Sequence, residues 1–166
     1  MAQELISEQY LTQALAILPK GAFLTTAADG KVNTMTIGWG SIGTVWQKPC
    51  FMVMVRQSRY THELIEKGTE FTVSIPVNEM KKALGICGTK SGRDMDKISA
   101  AELTLLPGKA VSVPVIKGCG LHFECKIVYK QTMEPNLLDA NNDQAWYANG
   151  DYHTLYYGEI VAAYEE

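Results

Sequence analysis

Three stretches of this chain hold residue types that could do chemistry together. Asn33-Thr34-Met35-Thr36-Ile37-Gly38-Trp39-Gly40 sets amides and hydroxyls beside a large indole, which suits a flat heteroaromatic ring. Arg56-Gln57-Ser58-Arg59-Tyr60-Thr61 and Lys90-Ser91-Gly92-Arg93-Asp94-Met95-Asp96-Lys97 supply hydroxyls, guanidinium forks and ammonium groups. Their glycine would let backbone N–H groups close on an anion. Together the stretches describe a pocket for a phosphorylated, ring-bearing cofactor. Each has a plainer account: Ser58 as a helix cap with Arg56 and Arg59 in solvent, and the second basic stretch as an exposed charged loop. Two such clusters in one chain of net charge −3 favour the phosphate.

Two other patterns carry less. Gly38-Trp39-Gly40-Ser41-Ile42-Gly43 matches the GxGxxG dinucleotide fingerprint, but Thr44-Val45-Trp46-Gln47-Lys48-Pro49 follows where a helix is required. These residues are poor helix formers and end in a breaker. About twenty residues on, where a ribose-binding acid should stand, the chain has arginines. Cys119 and Cys125 flank His122, yet on a strand residues 119, 121, 123 and 125 share one face and His122 points to the other. The four cysteines (Cys50, Cys87, Cys119, Cys125) therefore read as core thiols, with no metal site and no disulfide.

The elements that must position these groups can be traced. A helix is expected from Ser7 to Leu18, with Ser7 as N-cap, a stripe of Leu11, Ala14, Leu15 and Leu18, and Pro19 as terminator. Asp29-Gly30 joins two β-rich runs, 21–28 and 31–38, as a tight hairpin. Phe51 to Val55 is continuously apolar, as a strand buried on both faces would be. A helix opens at Ser58 and closes at Gly68, a strand covers 70–75, and Asn78 caps a second helix reaching Cys87. Residues 88–97 read as a loop. Strands follow at 103–106, 111–116, 119–130 and 153–164, with a loop-rich connection over 134–151. The fold class is mainly β with inserted helices (α+β), a small barrel rather than a doubly wound sheet.

With 46% hydrophobic and 20% charged residues, the 166-residue chain reads as a single domain, 1–166, with a core of its own. The acidic balance and the absence of aromatics along a basic stripe argue against nucleic acid. Neither a secretory signal nor a membrane-spanning apolar run is evident, so the expected location is cytoplasmic.

The same three stretches, in that order, resemble the flavin reductase-like family, closest in look to its flavoredoxin type. The resemblance covers roughly Gly21 to Tyr164. It implies an FMN-binding split β-barrel that works as a homodimer, with each flavin near the subunit interface. Carried over by position, Asn33, Thr34, Met35 and Thr36 would run along the isoalloxazine edge, with Trp39 and Tyr60 as aromatic walls. Ser58, Arg59, Thr61 and Lys97 would hold the phosphate, helped by Arg56, Ser91, Gly92 and Arg93. Trp39 could instead be a core indole, and Tyr60 could pack beneath its own helix. His153, in Asp151-Tyr152-His153, is either a proton donor or nicotinamide contact, or a strand-face histidine; His62 reads as an exposed helix residue. The implied activity is that of an FMN-dependent oxidoreductase, a flavin reductase-like NAD(P)H:FMN enzyme that passes electrons through the flavin. Its donor, NADH, NADPH or a redox-protein partner, is left open, as is a carrier role without nicotinamide turnover.

Overall fold

The computed structural model describes residues 6–166; residues 1–5, which bear on the expectation of no secretory signal, lie outside them. Helix α1 (Glu8–Ile17) begins where expected, because the Ser7 hydroxyl accepts from the Tyr10 amide at 3.2 Å. It buries Ala14, and Leu18 follows it into the core, but Leu15 faces solvent, so the buried stripe is narrower than predicted.

Strands β1 (Ala22–Ala28) and β2 (Lys31–Ile37) pair through Asp29 and Gly30, both at positive φ (52° and 73°) as the hairpin signal required. A second hairpin was not expected. The glycine-bearing run after Trp39 is strand β3 (Gly40–Val45), which pairs with β4 (Lys48–Arg56). Trp46 and Gln47 make its turn at φ 52° and 60°, a conformation those side chains rarely adopt, so the usual Gly or Asn signal is missing. Within β4, Phe51, Val53 and Val55 are buried and Met52 and Met54 only half-buried, so one face rather than both meets the core.

Strands β5 (Glu70–Pro76), β6 (Leu105–Leu106), β7 (Val115–Ile116), β8 (Gly120–Thr132) and β9 (His153–Glu165) complete the set. The main sheet has seven strands in the order β2-β1-β5-β8-β9-β4-β3, antiparallel throughout. Register shifts at Glu124/Cys125 and Ile127/Tyr129 bend the long β8–β9 ribbon. The sheet curls around Leu24, Phe51, Val53, Phe71, Phe123 and Ile160 without β2 and β3 joining, which is a split barrel. The two-residue strands β6 and β7 form a separate ribbon, much shorter than the runs predicted there.

Four further helices decorate the barrel: α2 (Tyr60–Ile65), α3 (Lys81–Thr89), α4 (Lys97–Ala100) and α5 (Ala140–Trp146). α2 starts at Tyr60 with Arg59 as N-cap, not at Ser58. α3 starts after Met80 with no side-chain cap, and the Asn78 side-chain amide donates instead to the Gly118 carbonyl at 3.2 Å. α3 packs on the outer side of β1 through a second cluster of Phe23, Ala83, Cys87, Ile116 and Cys119. Gly120, at φ 101°, turns the chain between Cys119 and Leu121, so that thiol leaves the strand face that Cys125 keeps. No helix of the described residues is long and apolar enough to cross a membrane.

Candidate functional site

Strand β2 runs from its hairpin toward β3 and delivers Met35 through Trp39 to one rim of a cleft of about 230 Å³. Met54 and Arg56 from the end of β4, Arg59 from the β4–α2 turn, and His153 from the start of β9 close the other sides. The Arg56–His153 pairing of β4 with β9 fixes that corner. A broader groove of about 570 Å³ lies beyond Asn33 and is lined by Tyr60, Gly92, Arg93 and Lys97. The predicted site residues are thus divided between two adjoining depressions. Thr34, Ser58, Thr61 and Ser91 line neither.

Arg59 and Lys97 join the two. Arg59 donates to the Gly88 and Cys87 carbonyls at 3.1 Å each, and Lys97 Nζ donates to the same Cys87 carbonyl at 3.2 Å. These oxygens end α3, where the helix dipole is negative. Lys97 is only 3% exposed. Among the described residues no carboxylate stands within 4.0 Å of either cation. Burial, and then the neighbouring guanidinium, push the Lys97 ammonium down to about 8. Burial likewise lowers Arg59. Two cations crowded together without an acid are poised to accept an anion.

At the opposite end the cleft is aromatic. Trp39 is 40% exposed, with its ring 5.1 Å from Trp146, edge to face, and 5.5 Å from His153. It is therefore a wall and not a core indole. The His153 Nδ1 lies 2.7 Å from the Tyr147 hydroxyl. Burial, and then the Arg56 charge, push His153 down to about 4, against a smaller opposing pull from Asp151. Both effects favour the uncharged ring at neutral pH. Arg56 itself spans the Asp151 and Trp146 carbonyls at 2.7 and 3.1 Å.

Several predicted donors are already engaged. The Asn33 amide donates to Thr61 Oγ1 at 2.9 Å, Thr34 to the Leu24 carbonyl at 3.2 Å, and Thr36 to the Leu84 carbonyl at 2.6 Å. Ser58 turns its amide and hydroxyl to the Asp151 carboxylate. Arg93 holds the Ser58 carbonyl and Glu63, and its guanidinium lies 5.5 Å from the Tyr60 ring centre. A Cβ on Gly92 would meet Asn33 Oδ1 at 2.3 Å and Tyr60 at 2.7 Å, so only glycine lets this loop seat on them. His62 is half-buried, 3.0 Å from the Thr154 hydroxyl, rather than exposed.

Sequence reasoning missed Met54, Trp146, Tyr147 and the Cys87 carbonyl. The last three come from α5 and the end of α3. Asp139, which accepts from the Asn141 and Asn142 amides, was the available signal for α5.

A family model described as flavin reductase like domain matches residues 15–166. Flavoredoxin of Methanosarcina acetivorans is 31% identical, with 88% of this chain and 68% of that one covered at a TM-score of 0.68. An FMN-binding protein of Thermus thermophilus, solved with bound 1-cyclohex-2-enone, is 26% identical over 88% of this chain and 70% of that one, at a TM-score of 0.69. An uncharacterized protein of Archaeoglobus fulgidus is 32% identical over 145 residues, 87% of this chain and 72% of its own. On the extent of the family match and the shared split barrel, the chain belongs to the flavin reductase-like domain family.

Proposed function

We propose that this protein binds FMN and passes electrons through it between a donor and an acceptor. The observation that carries this is the pair of cations, buried Lys97 and half-buried Arg59, without an acid among the described residues, beside a cleft walled by Trp39 and a neutral histidine. The donor set suits the group: guanidinium and ammonium for a phosphate monoester, an open indole for a flat tricycle, and an uncharged ring beside it. Arg59 and Lys97 would hold the phosphate, and Trp39, Met54 and His153 would border the ring. Arg56, with two of its N–H groups on carbonyls, would brace the corner between them. FMN, when bound, supplies one- and two-electron redox chemistry. The protein's part is to hold it, shield it and admit a donor.

Two donors fit this reading: a nicotinamide that reduces the flavin directly, or another redox protein that feeds a carrier. Anaerobic mixing with NADH or NADPH separates the two. Bleaching of the flavin band within seconds supports a nicotinamide reductase, and a band that persists for minutes supports the carrier. A purified protein that neither contains nor takes up FMN would remove both.

The working unit we propose is a homodimer. Exposed Trp46 of the β3–β4 turn, exposed Tyr129 of β8 and half-buried Tyr157 of β9 form an aromatic band, with ring centres 5.8 to 6.3 Å apart. A second copy of the chain is its natural cover. Light scattering at micromolar concentration checks this, and a monomer mass would overturn it.

A further inference from the structure

Tyr147 was no part of the expected site, yet its placement constrains what His153 can do. The phenol is buried, 5% exposed, and sits immediately after α5. It is held from two sides. Its ring stacks on Tyr152 at 4.9 Å and 19°, and the Arg56 guanidinium lies 5.1 Å from its centre. The carbonyls that fix Arg56 belong to Trp146 and Asp151, on either side of Tyr147, so the phenol has little freedom to leave.

The Tyr147 hydroxyl meets a protein polar group only at His153 Nδ1, 2.7 Å away, among the described residues. A phenol is a better donor than acceptor, and a nearby cation strengthens that bias. Donation from the phenol requires a bare Nδ1, so a neutral ring carries its hydrogen on Nε2. Nε2 has no hydrogen-bond partner among the described residues, and it is not among the sealed, unpartnered atoms of the interior. His153 lines the cleft, and with Nδ1 turned to Tyr147 the cleft is the open space that offers this N–H a partner.

We propose that Tyr147 is a positioning residue: its hydroxyl fixes the His153 tautomer, so that Nε2–H presents a neutral hydrogen-bond donor to a carbonyl oxygen of a ligand in the cleft. That oxygen belongs either to the flavin ring or to the carboxamide of a second ligand. The tautomer needs no cofactor, whereas the ligand side rests on flavin binding.

Both parts are read from nitrogen resonances of isotopically labelled imidazoles in the intact protein. Only three histidines are present, and His153→Gln identifies the one concerned. At pH 7 the expected His153 signature is a hydrogen-bearing Nε2 and a bare Nδ1 displaced by an accepted hydrogen bond. Tyr147→Phe should return Nδ1 to the unbonded position while the other two histidines stay in place. A wild-type ring protonated on Nδ1, or doubly protonated, overturns the assignment whatever the variant does. FMN is then added, followed by nicotinamide. A downfield move of the Nε2 proton with FMN alone places the acceptor on the flavin. A move only with nicotinamide places it on the second ligand, and no move with either overturns the donor role. Failure of FMN to bind, read from undiminished free-flavin fluorescence, would instead sink the proposed function and leave the tautomer measurable.

Discussion

Two polar centres of this protein are built on contrasting rules. Around Glu124, every demand is met. Its carboxylate accepts from the Lys109 and Ala110 amides at 2.6 Å, the Val111 amide at 3.2 Å and the Tyr164 hydroxyl at 2.8 Å. Neighbouring His122 lies 3.0 Å from both Ser74 Oγ and Glu166 Oε2. Serine, histidine and glutamate thus stand in the order of a hydrolase relay. However, Ser74 is fully buried and its oxygen already takes the Ile116 amide, so no substrate can reach it. Around Cys87, by contrast, Arg59 and Lys97 share one carbonyl oxygen and have no acid among the described residues, and each lines a depression beside it. A saturated centre holds a fold together, whereas one with surplus charge retains capacity for a ligand.

Substitutions should separate the two by what they damage. Glu124→Gln turns an amide NH₂ toward backbone N–H groups, leaving donors facing donors inside the core. A stability loss of about 2–4 kcal/mol is expected by denaturant unfolding, with FMN affinity almost unaffected. Lys97→Met should do the reverse. Losing one charge-assisted phosphate contact should weaken FMN binding by about 1.5–3 kcal/mol in a fluorescence titration. Unfolding free energy should hold or rise, because a desolvated ammonium has been removed. If Lys97→Met lost stability and kept its flavin, Lys97 would be a strut for α3 and the contrast would collapse.

The unequal legibility of the two centres has a physical origin. Ser7 and Asp29-Gly30 are local signals, and the helix and hairpin they predict are present. The basic centre was legible because Arg59 and Lys97 stand in two short clusters of cations, hydroxyls and glycine that suit a phosphate. Its acceptors were not, since the Cys87 and Gly88 carbonyls belong to any sequence that ends a helix there. Ser58 was misplaced for a related reason: Asp151, a distant residue in sequence, offers it a carboxylate, and no local pattern encodes that pairing. Glu124 reads as one more polar residue on a strand, and only the fold brings the 109–111 amides around it.

Acidity sharpens the comparison further. The Lys97 ammonium is lowered in the folded, ligand-free protein to about 8, from an ordinary value of 10.5. Between those values the unfolded chain holds a proton that the native state has released, so stability of the flavin-free protein should rise as pH climbs from about 8. Anion binding must restore that proton. FMN affinity should therefore fall by up to about tenfold per pH unit above 8, in a titration carried to pH 9.5. Lys97→Met should flatten both curves. His153 contributes at the other end. Its value of about 4 lies below the ordinary 6.5, so stability present above the latter is lost as pH falls through the former.

The smallest effect concerns a region that belongs to neither centre. Gln47 sits at φ 60° in the β3–β4 turn, where a Cβ crowds the backbone. Gln47→Gly removes that crowding but gives the unfolded chain more freedom, and the two partly cancel. The expected net gain is about 0.5–1 kcal/mol in thermal unfolding, with FMN affinity unchanged. β3 is an edge strand and hands Gly40 back to the cleft rim beside Trp39. If Gln47→Gly altered flavin affinity, this hairpin would therefore move when the ring binds. The division between saturated scaffold and unsaturated site would then have to include β3 on the side of the site.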